Sequence, residues 1–177
     1  MMAHSTGFDT LTWTLRLIFA QVVVVIILAL SVISFSVPLT GEVRPHFLLA
    51  AVFYWAVYRP TLLPPWYIFI LGLIMDTLSD IPLGMNALIL VVVHWVVRSQ
   101  RLYLMGQSFF GLWMGFAVTA LLCASAQWCL FALVTRTLVP AGPSLAGAGV
   151  TVLLFPLISL LLIAIHRLLP VASKPLP

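Results

Sequence analysis

Charge is what this sequence has least of. Only 7% of its 177 residues are Asp, Glu, Lys or Arg, four acids against eight bases, where a soluble domain carries roughly 25%. It has no Lys/Arg run of the kind that marks a nucleic-acid surface, so DNA and RNA are not expected partners. Cysteine is scarce too. Cys123 and Cys129 stand about 9 Å apart along a helix and point to different faces, so they do not bridge, and both read as small core residues. With no CxxC, no Cys/His pair at zinc spacing, no H-E-x-x-H, no G-x-S-x-G and no P-loop, neither a metal site nor a catalytic centre is indicated. The four histidines, His4, His46, His94 and His166, are scattered. Only His94 lies well inside an apolar run, without an acid on its face and with Arg98 one turn on. No enzyme activity and no cofactor are expected.

What the chain does have is apolar surface. Hydrophobic residues make up 63% of it, far more than a soluble fold of this length can bury, so the excess must face lipid. A membrane-crossing helix needs about 20 apolar residues. Candidate spans run over 15–37, 46–59, 62–78, 82–97, 109–134 and 145–165, which predicts an all-α, multi-pass bundle occupying 1–177 as one domain. The second and fourth are short for a perpendicular crossing, so the count is six or five. Arg16 followed by the run from Leu17 to Val37 looks like a secretory leader. However, the run exceeds the usual 7–15 or so residues and lacks an A-x-A site, so it reads as an uncleaved first span.

The basic residues suggest an orientation. With the N-terminus inside, Arg16, Arg59, Arg98, Arg101, Arg167 and Lys174 lie on the cytoplasmic side, and only Arg44 and Arg136 lie outside. This bias follows the positive-inside rule. It puts Glu42, Asp76 and Asp80 near the outer face. Phe53, Tyr54, Trp55, Tyr58, Trp66 and Tyr67 then gather near the inner boundary, where interfacial rings are favoured.

Asp76 is the most informative residue, because a carboxylate within a membrane costs roughly 2.5–3.5 kcal/mol and needs a partner or a purpose. It is either a ligand or partner site, or a structural group paired with Arg44 or Arg136. Asp76 and Asp80 form a D-x-x-x-D, but magnesium needs more carboxylates or a phosphate substrate. Asp80 before Ile81-Pro82 instead reads as a helix cap. Gly84 and Asn86 open the fourth span, where a buried Asn serves packing by hydrogen-bonding a neighbour. Gly111, Gly115, Thr119 and Cys123 form a small-residue stripe on the fifth span, with Gln127 one turn on. Gly142, Pro143, Gly147 and Gly149 suggest a flexible start to the last span, and Pro156 a kink within it.

Arg44-Pro45, Tyr54-Trp55, Pro60 and the run FILGLIMDTLSDIPLGMNAL from Phe69 to Leu88 together resemble the MreD family of rod shape-determining proteins. That family has R-P before its second span, Y-W within it, G-x-x-x-D (here Gly72 and Asp76) ending the third, and L-G-x-x-A-L opening the fourth. In this chain the last motif is Leu83, Gly84, Ala87 and Leu88. The match is specific from Arg44 to Val97 and looser to Pro156. His46 departs from it, since the family often has an acid after R-P.

The resemblance implies an inner-membrane scaffold of the bacterial elongation machinery. Such a protein binds MreC directly and works in one complex with MreB, RodA and the class B penicillin-binding transpeptidase. It also implies a fold similar to the six-helix substrate-binding subunits of energy-coupling-factor transporters. It carries over no catalytic residue. The scaffold reading expects no deep polar cavity. The runner-up, a small-molecule-binding subunit of a transporter, needs polar groups that converge, and Gln21, Asp76, Asn86, His94 and Gln127 are the available ones. The sequence leaves self-association open.

Overall fold

The computed structural model describes residues 5–33, 35–37, 41–137 and 140–168, with side chains for 18–33, 44–137, 140–165 and 167. The helices are α1 (Ser5–Val32), α2 (Phe47–Tyr58), α3 (Pro65–Leu78), α4 (Met85–Ser99), α5 (Arg101–Met105), α6 (Phe109–Thr135) and α7 (Gly142–Leu168). Between α1 and α2 a small antiparallel hairpin pairs β1 (Phe35–Val37) with β2 (Gly41–Val43), Ser36 opposite Glu42. The first apolar run therefore does not stay helical to Val37. Helix α1 stops at Val32, and the β-branched and aromatic residues that follow form a strand.

The protein is an all-helical, multi-pass membrane bundle. Helices α6 and α7 each hold an apolar stretch long enough to cross a bilayer, and α1 has 28 residues. Large apolar side chains stay exposed along every long helix, among them Phe19, Ile26, Trp95, Leu122, Leu153 and Leu160. Such a surface has its proper solvent in lipid.

Helix α2 is short because it is the core. Ten of its twelve residues are buried, and it packs against α1, α4, α5, α6 and α7. A helix apolar on every side belongs inside a bundle. Ala50, Ala51 and Ala56, all fully buried, let neighbours close in. Phe53 meets Phe116 and Phe155 edge-on, with centroids 5.3 and 6.0 Å away. Phe116 and Phe155 stack at 4.1 Å. Phe53, Tyr54 and Trp55, at 1%, 3% and 1% exposure, are thus core residues and not an interfacial belt. Trp66, 65% exposed, keeps the interfacial character.

Helices α3 and α4 form a close hairpin. A Cβ on Gly72 would fall onto the Cα of Ala87 and lie 2.7 Å from its nitrogen, so the two backbones touch where the motif glycine stands. Helix α4 starts at Met85, after Gly84 with φ +96°, and not at Pro82. Asp80 is exposed with φ 53° and belongs to the turn, so it does not cap α4. Cys123 is buried, but Cys129 is exposed and is not a core residue.

Candidate functional site

The polar side chains converge at the end of the bundle where α1, α3 and α6 finish and α2, α4 and α7 begin. Asp76, fully buried on α3, accepts from the Gly84 amide through Oδ2 at 2.8 Å and from the Asn86 amide through Oδ1 at 2.9 Å. These are the cap and second residues of α4. The first amides of a helix lack intrahelical acceptors and carry the positive end of its dipole. A carboxylate supplied by the neighbouring helix satisfies both needs. Asp76 therefore has partners, and among the described residues they are backbone amides and not Arg44 or Arg136.

Arg44 does the complementary job. Its Nη1 donates to the Ser79 carbonyl at 2.9 Å, at the C-cap of α3, where a cation faces the negative end of a helix. The two charges expected to pair thus each hold one side of the same hairpin.

A chain of side chains continues from Asn86. Gln127 Nε2 donates to Asn86 Oδ1 at 3.1 Å, and Gln127 Oε1 lies 2.9 Å from His46 Nε2. His46 Nδ1 lies 2.9 Å from the Arg44 carbonyl, and the His46 amide donates to Thr151 Oγ1 at 2.8 Å. Helices α4, α6 and α7 are so joined to the segment before α2. Close approach makes this reachable: a Cβ on Gly147 would lie 2.6 Å from the Arg44 carbonyl. Ser31 on α1 adds one more tie, accepting from the Leu48 amide at 2.8 Å.

These residues border a cavity of about 270 Å³, lined by Arg44, His46, Asn86 and Gln127 together with Ser31, Ser79 and Ser144 and with apolar groups. Its wall is mainly apolar, with the polar groups set into it, as the scaffold reading expects. Of the in-span polar residues, Asp76, Asn86 and Gln127 meet here. Gln21 does not: its Nε2 donates to the Leu62 carbonyl at 3.1 Å near the other end. His94, 1% exposed with Nε2 unpartnered, lies apart from the cavity as well. Asp80 does not join Asp76, and among the described residues no group of three or more His, Cys, Asp or Glu could hold a metal.

The other motif positions take up places around this centre. Pro45 is buried beside Arg44. Tyr54 packs edge-on against Trp55 at 5.3 Å and tilts against Tyr58 at 4.8 Å, while Leu83 is 69% exposed. On α6, a Cβ on Gly111 would meet only the Gln107 side chain, and one on Gly115 the Leu104 tip at 3.3 Å. Among the described residues the nearest atoms at both glycines are side-chain atoms. Thr119 donates to the Gly115 carbonyl at 2.8 Å and lines an apolar groove of about 300 Å³ between α4 and α6. The close-approach glycines are Gly72 and Gly147.

The family model for rod shape-determining protein MreD matches residues 10–165. The chain belongs to the MreD family. Neither a curated protein nor a solved structure matches it. Membership makes this a rod shape-determining membrane protein, of a family known for shape determination and not for catalysis. Arg44, Gly72, Asp76 and Gly84 lie in or against the α3–α4 hairpin, while Tyr54 and Trp55 lie on α2.

Proposed function

We propose that this chain is a membrane scaffold of the bacterial elongation machinery, which binds MreC and thereby supports rod shape and lateral cell-wall synthesis. The observation that carries the reading is the family match over residues 10–165. The geometry supports it, because the motif residues fix helix ends and helix contacts, as a docking platform requires. RodA, the class B penicillin-binding transpeptidase and MreB are partners in the same complex. The protein resides in the cytoplasmic membrane with both termini inside. In that orientation Arg59, the C-cap of α2, and Arg98, in the last turn of α4, meet the cytoplasmic face as the positive-inside rule asks. The cavity lies toward the outer side. Motif residues Arg44, Pro45, Tyr54, Trp55, Gly72, Asp76, Leu83, Gly84 and Asn86 serve structure, as do Gly111, Gly115 and Thr119 within the bundle.

Cross-linked affinity purification of the full chain from native membranes, with mass spectrometry of what co-purifies, tests the reading. Recovery of MreC with the wall synthases supports it. Recovery of a transporter's coupling subunit and ATPases in their place overturns it.

A further inference from the structure

The small-residue stripe on α6 faces a gap and not a helix. Gly115, Thr119, Cys123 and Ala126 line an apolar groove, and its other wall is the Leu88, Val92, Val93 and Val97 side of α4. A stripe of this kind usually seats a second backbone. Here a Cβ on Gly115 would meet only the tips of the Leu104 and Phe53 side chains, so the stripe deepens the groove instead. The Thr119 hydroxyl is taken up by the Gly115 carbonyl at 2.8 Å and is not free to bind anything polar.

The dimensions of the groove choose its occupant. One stretch of about 300 Å³ follows α4 from Leu88 to Val97, a rise of about 14 Å. Dividing volume by length gives a cross-section of about 22 Å². A helix with its side chains is about 10–12 Å wide, which is roughly 80–110 Å². The groove is therefore the width of one hydrocarbon chain and far too narrow for a helix. A second stretch of about 290 Å³ shares Val96, Val97 and Thr119 with the first and continues to Gln100, Tyr103 and Leu104. From Leu88 to Gln100 the path is about 18 Å, close to one leaflet of a hydrocarbon core about 30 Å thick.

The two ends differ in polarity. From Ile81 to Thr135 the sequence has two charged side chains, Arg98 and Arg101. They flank Gln100, which lines the groove beside Tyr103. The nearest acid in sequence, Asp80, lies beyond the opposite end of α4. Positive charge next to amide and phenol groups suits a phosphate. At the far end Leu88 and Leu130 offer only hydrocarbon.

We propose that this groove seats one acyl chain of a bilayer phospholipid. The ester end lies at Gln100 and Tyr103, the phosphate at the corner that carries Arg98 and Arg101, and the terminal methyl near Leu88 and Leu130. The site depends neither on which protein the bundle docks nor on which way the bundle is oriented.

The test reconstitutes the full chain in vesicles of phosphatidylethanolamine and phosphatidylglycerol. A trace of the phosphatidylglycerol carries a photoreactive diazirine on one chain, next to the ester in one sample and at the terminal methyl in another. After irradiation, mass spectrometry of peptides locates the adducts. The expected result is labelling of groove residues several-fold heavier than that of Leu153 and Leu160, which are exposed on α7. The ester-side probe should mark the stretch from Gln100 to Leu104, and the methyl-side probe the stretch from Leu88 to Val92. Ala126→Phe, at an exposed position lining the groove, should abolish the excess and leave Leu153 and Leu160 labelled as before. Thr119→Leu fills the groove from its middle and should act in the same way, so the result does not hang on one variant. The proposal is overturned if the groove is labelled no more than α7, as a second copy or another protein's helix lying over it would cause. It is also overturned if the two probes mark the same residues, or if the filling variants label like the wild type.

Discussion

Trp113 on α6 donates its indole N–H to the Val152 carbonyl of α7 at 2.8 Å. That carbonyl is four residues before Pro156, which lies inside α7 and has no N–H to offer it. The proline frees an acceptor and the tryptophan takes it up, so α7 passes through Pro156 without an unpaired group at that level. Trp113→Phe keeps the ring and removes the donor. The expected loss is about 1–3 kcal/mol, seen as a lower melting midpoint in detergent. Trp66→Phe, at a site 65% exposed, should leave the midpoint unchanged. Equal effects of the two substitutions would refute this role for the indole.

Gly72 and Gly115 separate two kinds of small-residue position. A methyl at Gly72 meets the backbone and Cβ of Ala87, whereas one at Gly115 meets the end of the Leu104 side chain at 3.3 Å, which can turn away. Gly72→Ala should therefore cost about 1–3 kcal/mol, the range for overpacking a tight contact, and Gly115→Ala clearly less. Gly115→Leu, which must also displace Phe53, 4.0 Å from a Cβ there, should weaken packing and lower stability further. The order is checked by thermal unfolding in one detergent, together with partner recovery for Gly115→Leu.

Asp76 holds two amides of α4, so Asp76→Ala leaves both without acceptors, at about 1–3 kcal/mol for each. The amount of folded protein in the membrane should fall more than any activity changes. Asp76→Asn, which keeps one acceptor oxygen, should fall between the alanine variant and the wild type. Fluorescence-detected size exclusion of tagged protein measures the amounts. Normal abundance of Asp76→Ala combined with complete loss of rod shape would sink this structural assignment.

Gly147→Ala should be as damaging as Gly72→Ala, because the added Cβ lies 2.6 Å from the Arg44 carbonyl, a backbone atom anchored by His46 on the same segment. Thr151→Val should destabilise more mildly, since it leaves the His46 amide without its acceptor. Comparing both with Gly149→Ala, a position with open space around it, isolates the close contact from a general change in α7.

The multi-pass helical bundle was readable from apolar runs, because lipid demands a nearly uncharged stretch whatever its neighbours are; the short α5 and the hairpin before α2 were not. The burial of α2 was not, since an aromatic group such as Phe53-Tyr54-Trp55 suits an interface and a core equally, and only the helices packed around it decide. Asp76 and Asn86 stood out by being polar where polarity is costly. Their partners did not, because backbone amides leave no mark in a sequence. Gly147 looked like flexibility beside Gly142 and Gly149, and Trp113 drew no reading at all. Pro156 was the available signal for Trp113: an internal proline implies a free carbonyl four residues earlier, and hence a donor to look for.

The cap that Asp76 places on α4 bears on how the protein is made. Emerging alone from the ribosome, α3 would present an uncompensated carboxylate to the translocon, and α4 would present bare amides. Among the described residues each defect is cured by the other helix. The two helices are therefore suited to partition into the bilayer as one unit, with Gly72 against Ala87 letting them close before they leave the channel. Biogenesis, more than the finished bundle, is where a substitution at this hairpin would be felt first.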